Sequence, residues 1–437
     1  MDASYAPRLL RSLTGDKDLL CSCTRPEQAC VLVIYTGGTI GMVKDEKGVL
    51  APAPGILDKR LRKFPQLHDE EYMRSHFGEC ANPPLVLPST GDKRRVVYSI
   101  SEYSPLIDSS NVTVHDWAKV ASDIEKNYDL YDGFVILHGT DTMAYTSSAL
   151  SFLLECLGKS VILTGSQIPI YEARSDGRDN LLEALGIAGN HVIPEVTLMF
   201  HNQLFRGNRV SKFSSSHLDA FASFNMSPLA TIGIHVEINW ELILTPAEGK
   251  FHAHTTLSRD VGILRLFPSI TAELVEAFLG KQMKGVVLQT YGAGNAPTNR
   301  KDIIDAIRRA AARGVLIVSC SQCPHGAVDP AYATGSELLK AGAIPGADMT
   351  PEAALTKPHK QIPTVTCIMT APSADLGIPV YTGSTGDRPV QDWFDLFEFH
   401  ATAASWSERE MVANFNEYVT GEAFRFYLTH IFQNNES

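Results

Sequence analysis

Two short runs place hydroxyl groups where an apolar segment ends in glycine: Thr36, Gly37, Gly38 and Thr39 in VLVIYTGGTIG, and Gly139, Thr140, Asp141 and Thr142 in HGTDTM. A threonine hydroxyl is a weak nucleophile at neutral pH and attacks a carbonyl only with a base or proton-relay partner beside it. Thr140 and Asp141 offer a second hydroxyl and a carboxylate, and Lys159, in LGKSVILTG, offers an amine just ahead of the next apolar run. On adjacent strand ends these groups would form a Thr, Lys and Asp relay whose members tune one another's protonation. Each run also has a plainer reading. TGGTIG can be a tight strand-to-helix turn, with glycines at positive φ and threonines bonding free amides. Lys159 can be a solvated residue after a helix, and Asp141 a turn former. Nucleotide chemistry fails on two counts, because no lysine follows the glycines and G-x-G-x-x-G is not matched.

The remaining reactive residue types add little to this picture. His138 stands beside Thr140 without ligand-spaced partners and reads as a packed strand-end residue. Eight cysteines are scattered at 21, 23, 30, 80, 156, 320, 323 and 367, unlike a secreted disulfide framework, and read as reduced. Cys320 and Cys323 make one C-x-x-C, which lacks the second pair of a structural zinc site. Neither a metal nor a cofactor is called for.

Elements that could position such groups follow from the hydrophobic pattern. Runs of four to six apolar residues alternate with helical periodicities, the mark of strands buried on both faces of a parallel sheet. Val31 to Tyr35 ends in TGGT, Phe134 to Leu137 in HGTDT, and Val161 to Leu163 in TGSQ. Open sheets of this kind bind ligands at the carboxyl ends of their strands, which predicts Thr39, Thr140, Asp141 and the TGSQ turn on one rim. Between the strands, TVHDWAKVASDI carries a capping box of Thr113 and Asp116, with Trp117, Val120, Ala121 and Ile124 on one face. SSALSFLLECLG is predicted to close on Gly158 as a left-handed cap. DIIDAIRRAAARG buries Ile303, Ile307, Ala310 and Ala311 and stops at Gly314.

The fold class is therefore α/β: a large N-terminal, mostly parallel sheet domain with helices on both faces, a smaller C-terminal α/β domain, and a helical tail. The divisions are an N-terminal extension over 1–27, a large domain over 28–230, a connector over 231–258, a smaller domain over 259–357, and an atypical segment over 358–437. With 437 residues and 44% hydrophobic content, the chain can bury two or three cores. A formal net charge of −11 argues against a nucleic-acid surface. No signal-peptide pattern and no membrane-length apolar run is found, so a cytosolic, membrane-free protein is expected.

YTGGTIG and LHGTDTM together resemble the two signatures of the L-asparaginases, which split asparagine into aspartate and ammonia. The likeness continues through EYSPLIDSSNVTVHDWAKVASDI, LTGSQIPIYEARSDGRDNLLEA, LFRGNRVSKFSSSHLDAFASFN, LQTYGAGNAPTN and AYATGSELLKAGAIPGADMTPEAALTK, over roughly residues 28 to 357, and resembles the cytosolic type I branch in particular. The resemblance implies that Thr39 is the nucleophile of an acyl-enzyme and that Thr140, Lys159 and Asp141 form the relay. It further implies that Asp141 holds the substrate's α-ammonium and that Ser109 meets the α-carboxylate, with Asp108 and Ser110 lining the same loop. For those three residues a helix-leading turn is an equal alternative. Backbone amides near Thr39 and Thr140 would serve as oxyanion donors. The resemblance also implies L-asparagine as the small-molecule partner, a homodimer or homotetramer, and allosteric control by asparagine.

Two departures stand out. Where many members carry a tyrosine some ten residues after the nucleophile, this chain has Val49, and Tyr35 is not its equivalent. Pro358 follows ADMTPEAALTK and is expected to interrupt the last helix of the smaller domain. Beyond it, DWFDLFEFHATAASWSEREMVANFNEYVTGEAFRFYL weakly resembles the helical capsid-like region of retrotransposon Gag proteins, at Trp393, Phe397, Trp406, Gly421, Glu422 and Ala423. Three alternatives remain open at this stage: a related amidohydrolase acting on glutamine or a tRNA-linked amide, a lysophospholipase-like activity, for which no G-x-S-x-G elbow is present, and a catalytically weak assembly protein using the tail.

Overall fold

The computed structural model describes residues 27–361, apart from 79, 90, 92, 93 and 330–332. The Gag-like stretch lies outside the described residues, as does almost all of the N-terminal extension. Strand β1 (Gln28–Gly37) is buried along all ten residues, so its sequence reads as a continuous apolar run and not as an alternation. Its two faces feed different cores. Leu32 and Ile34 join one apolar cluster, and Val31, Val33 and Tyr35 join the other.

Around β1 the sheet grows from β2 (Leu85–Val86), β3 (Arg95–Ile107), β4 (Gly133–Leu137), β5 (Ser160–Thr164), β6 (Val196–Phe200) and β7 (Gln203–Arg206). Past the two-residue strands β8 (Ser211–Lys212) and β9 (Phe221–Ala222), which pair with each other, come β10 (Ala230–Ile232) and β11 (Val236–Ile238). The nine-stranded order is β11-β10-β7-β6-β5-β4-β1-β3-β2. The five central strands β6, β5, β4, β1 and β3 run parallel, and the pairs beyond them at both edges are antiparallel.

Helix α1 (Glu70–Phe77) lies against the β2 edge, where Phe77, Val86 and Val97 cluster. One face of the sheet is covered by α2 (Val114–Asn127) and α3 (Met143–Leu153), the other by α4 (Gly177–Asn190), through Leu181, Ala184, Leu185 and Ala188. The capping box of Thr113 and Asp116 opens α2 as the sequence predicts. Gly158 does not close α3, however. The helix stops at Leu153 and the left-handed residue is Cys156, because the chain turns at once into a short strand, Leu154–Glu155, that pairs with His252 and Ala253.

The second sheet is all parallel, in the order β12 (Val261–Arg265), β13 (Gly285–Thr290), β14 (Leu316–Ser321), β15 (Ala343–Pro345). Its helices are α5 (Ala272–Phe278), α6 (Lys301–Ala312), α7 (Ala333–Lys340) and α8 (Pro351–Gln361). Helix α6 buries Ile303, Ile304, Ala306, Ile307 and Ala310, and Gly314 follows it at φ +88. Helix α8 packs on β12 and β13 of this sheet and on α3 of the first layer.

Further expectations change. Helix α8 runs to Gln361 and carries Pro358 within it, so the expected break does not occur at that residue. A proline removes one helix N–H donor, and the helix passes over that loss. Within the stretch 231–258, β10 and β11 form a hairpin that extends the large sheet. Cys30, Cys156, Cys320 and Cys323 are not bridged, but Cys80 is disulfide-bonded, which corrects the reading of a fully reduced set. No helix among the described residues is long and apolar enough to cross a membrane.

Candidate active site

The ends of β1, β3 and β4 meet through glycine. Gly37 and Gly38 have φ of +137 and +92, a backbone region that L side chains avoid. A Cβ on Gly37 would lie 2.2 Å from the Ile107 carbonyl oxygen, and one on Gly38 would lie 2.4 Å from the Gly139 nitrogen. Gly139 is equally tight, its virtual Cβ falling 2.5 Å from Ser109 Oγ. The glycines thus let three chain segments touch, and the residues beside them, Thr39, Ser109 and Thr140, are brought to one rim.

Thr39 opens a single 3-10 turn, Thr39–Gly41, and is partly exposed. Thr36 is not available for chemistry, because its hydroxyl donates to the Leu137 carbonyl at 2.9 Å. Ser109 opens a second single turn, Ser109–Asn111, and is buried. Asp108 caps that turn: its Oδ1 accepts from the Ser110 N–H at 2.9 Å and the Ser110 hydroxyl at 2.9 Å. Asp108 and Ser110 therefore build the turn that presents Ser109. The hydroxyl of Thr142 donates to the Ser109 carbonyl at 2.7 Å and fastens the two loops together.

Thr140 is buried and has two polar partners, and the lysine among them is not Lys159. The Lys212 ammonium donates to Thr140 Oγ1 at 2.8 Å and to Asp141 Oδ1 at 2.8 Å. Thr140 in turn donates to Gln167 Oε1 at 3.1 Å. Lys159 precedes β5, so it stands at the opposite end of a five-residue strand, about 16 Å from the rim at the usual rise per residue. Its ammonium donates to the carbonyls of Tyr128 and Tyr131, the latter at 2.7 Å. Lys159 is the lysine nearer to Thr140 along the chain, whereas Lys212 comes from RGNRVSK, within the longer LFRGNRVSKFSSSHLDAFASFN motif.

Lys212 is positioned by both layers. It sits on β8, where the preceding Ser211 donates to Glu352 Oε2 on α8 at 2.9 Å, and Arg209 forms a two-pronged ion pair with Asp348, one arm at 2.8 Å. Burial pushes the Glu352 carboxyl up from its ordinary range. The Lys212 side chain is 17% exposed and that of Asp141 68%, so the ammonium is enclosed and the carboxylate faces the open rim. Gln167 is held by its N–H on Asp176 Oδ2 at 2.9 Å and by its side-chain amide on the His217 carbonyl at 3.1 Å.

His138 is a packed residue. It is buried between the Gly139 carbonyl at 2.7 Å and Thr146 Oγ1 at 3.0 Å, and burial pushes its pKa down. Tyr35 is equally removed from the chemistry. Its hydroxyl is buried under Gly41, has no hydrogen-bond partner among the described residues, and is pushed above the ordinary phenol range by burial, with Tyr171 and Glu102 adding to the shift. Val49 is 59% exposed, and its N–H donates to Asp45 Oδ1 at 2.8 Å in the turn after Thr39. No group of three or more metal-ligating side chains exists among the described residues.

Comparison with known proteins places this geometry. Residues 30–244 match the family described as Asparaginase, N-terminal, and residues 260–359 match the Glutaminase/Asparaginase C-terminal domain. The chain is 50% identical over 333 residues to an L-asparaginase of Dirofilaria immitis, covering 76% of this chain and 56% of that protein. It is also 50% identical over 329 residues to a 60 kDa lysophospholipase of Mus musculus, covering 75% of this chain and 57% of that one. The chain thus spans little more than half the length of these relatives. Among solved structures, L-asparaginase I from Vibrio cholerae is 41% identical with a TM-score of 0.66, and the match covers 76% of this chain and 92% of that one.

Proposed function

The chain belongs to the asparaginase family, and we propose that it hydrolyses the side-chain amide of L-asparagine to L-aspartate and ammonia through an ester on Thr39. Thr39 Oγ attacks the carboxamide carbon and forms a tetrahedral intermediate, whose oxyanion is met by backbone N–H groups of the glycine-lined rim. The proton lost by the hydroxyl passes through the Thr140 and Lys212 pair to the leaving nitrogen, so that ammonia departs neutral. Water then adds to the ester carbonyl, aspartate leaves, and Thr39 Oγ recovers its proton. No cofactor or metal enters either half-reaction. Asp141 holds the α-ammonium, and Ser109 meets the α-carboxylate.

One observation carries this reading: the Gly38 to Gly139 contact sets Thr39 beside Thr140, whose hydroxyl is bonded by an enclosed ammonium that also holds Asp141. A weak nucleophile, a second hydroxyl, an amine and a carboxylate on one rim are the parts that amide hydrolysis through threonine needs. The exposed Asp141 carboxylate suits a free amino acid with an α-ammonium better than a lipid ester.

The test is ammonia release from L-asparagine over a concentration series by the purified chain, beside Thr39→Ala and Thr140→Ala. Loss in both variants with an unchanged unfolding midpoint is the expected result, and a sigmoidal wild-type curve would add allostery. A folded wild type that releases no ammonia from asparagine overturns the reading. Release from glutamine alone moves the substrate to the longer amide.

A further inference from the structure

His138 is buried beside the reacting rim, and the chemistry proposed above makes no use of its ring. Its backbone N–H donates to the Thr164 carbonyl at 2.9 Å, which ties the end of β4 to the end of β5. The side chain then meets its own neighbour in the chain. Nδ1 lies 2.7 Å from the Gly139 carbonyl oxygen, and Nε2 lies 3.0 Å from Thr146 Oγ1 on α3.

These contacts fix where the ring carries its proton. A carbonyl only accepts, so Nδ1 must hold a hydrogen to stand 2.7 Å from one. Burial keeps the ring neutral by pushing its pKa down, which leaves Nε2 bare as an acceptor. Thr146 then donates to Nε2, and its oxygen accepts from the Trp117 Nε1–H on α2 at 3.1 Å. The hydrogen bonds thus run in one direction, from α2 through α3 and the imidazole to the Gly139 carbonyl.

The peptide at the end of this chain of bonds also carries the N–H of Thr140. The bond between Gly139 and Thr140 is trans, so that N–H points away from the carbonyl across a planar unit. An imidazole that fixes the carbonyl therefore fixes the N–H with it. Among the described residues the Thr140 N–H meets no acceptor, and Gly139 itself is wedged between Gly38 and Ser109. We propose that His138, as the neutral Nδ1–H tautomer, is a positioning residue that aims the Thr140 N–H at the oxyanion formed during amide hydrolysis. This rests on the amidohydrolase reading and names one of its oxyanion donors. The ring acts through the peptide and not on the substrate.

Neutron diffraction from the deuterated full chain reads the proton directly. Deuterium on Nδ1, none on Nε2, and a Thr146 deuteron directed at Nε2 are expected. Deuterium on Nε2, alone or with Nδ1, overturns the proposal. Kinetics on asparagine then separate positioning from packing, because an asparagine side chain can place its amide nitrogen where Nδ1 stands, whereas glutamine reaches Thr146 and not the Gly139 carbonyl. His138→Gln is expected to lower kcat about 10- to 100-fold, at or below the roughly 10²- to 10³-fold cost of deleting an oxyanion donor. Its KM should stay within about twofold, since the donor acts in the transition state. His138→Asn keeps the bond and is expected to stay within about threefold of the wild-type kcat. A packing role predicts the reverse order, because asparagine leaves the larger void, and that order or equal losses overturns the proposal. Should neither variant fold, the neutron map decides. A wild type that releases no ammonia fails the amidohydrolase reading, while the neutron map still decides whether His138 holds this peptide.

Discussion

Lys212 Nζ lies 2.8 Å from Thr140 Oγ1 and 2.8 Å from Asp141 Oδ1, so a single ammonium holds the hydroxyl and the carboxylate of consecutive residues. If Lys212 carries the proton between Thr140 and the leaving nitrogen, Lys212→Met keeps the stem and removes the carrier. Ammonia release should fall about 10²- to 10⁴-fold in kcat, the usual range for a positioned acid or base. Because the pair acts as a unit, Thr140→Ala with Lys212→Met should be little worse than Thr140→Ala alone. Additive losses in steady-state kinetics would show that the two act separately.

Much of the site was legible because glycine and threonine at strand ends have few other reasons to recur. The runs ending at Gly37 and Leu137 put Thr39 and Thr140 on one rim through the carboxyl-end rule alone. The lysine was not legible by that route. Proximity along the chain suggested Lys159, but a residue before a parallel strand faces the far rim, and the amine that arrives comes from β8, a two-residue strand without a hydrophobic signature. Similarly, Pro358 within α8 and the β10–β11 hairpin escaped local rules, because tertiary packing and sheet extension are set by neighbours distant in sequence.

Lys159 has a structural task that a second variant isolates. Its ammonium ties the carbonyls of Tyr128 and Tyr131, which follow α2, to the start of β5. Lys159→Met should lower unfolding free energy by about 1–3 kcal/mol, the cost of losing charge-assisted bonds at partly buried carbonyls. Its kcat/KM for asparagine should stay within about twofold of wild type, since the residue is far from the rim. Urea unfolding and initial rates on one preparation decide it, and a large rate loss at full stability would return Lys159 to the relay.

Gly38 should be as unforgiving as any residue on the rim. Gly38→Ala meets both a positive φ and a Cβ position 2.4 Å from the Gly139 nitrogen, so β1 and β4 must part and carry Thr39 with them. A displacement near 1 Å costs on the order of 10²-fold in rate, and strain adds about 1–3 kcal/mol to the stability loss. Gly48→Ala is the comparison, with φ +80 but no atom within 4 Å of its virtual Cβ. It should show the backbone strain alone, with little change in rate. Equal rate losses in the two variants would separate the glycine contact from the chemistry.

Glu183 sets a pH dependence of stability that is independent of the active site. Its Oε2 is buried without a hydrogen-bond partner on α4, and burial first, then the Asp179 carboxylate one turn earlier, pushes its pKa from 4.5 up to about 7. The folded protein therefore binds this proton more tightly than the unfolded chain does. The stabilisation is fully present below about pH 4.5 and is lost as pH rises through about 7. Glu183→Gln keeps the shape and cannot ionise, so it should lack this decline. The urea midpoint of the wild type should fall relative to that of Glu183→Gln between pH 4.5 and pH 7.5, with most of the divergence between pH 5 and pH 7, about where the folded group begins to ionise. A constant difference across the window would mean that the carboxyl is solvated in both states, and that its burial against α4 does not govern its proton.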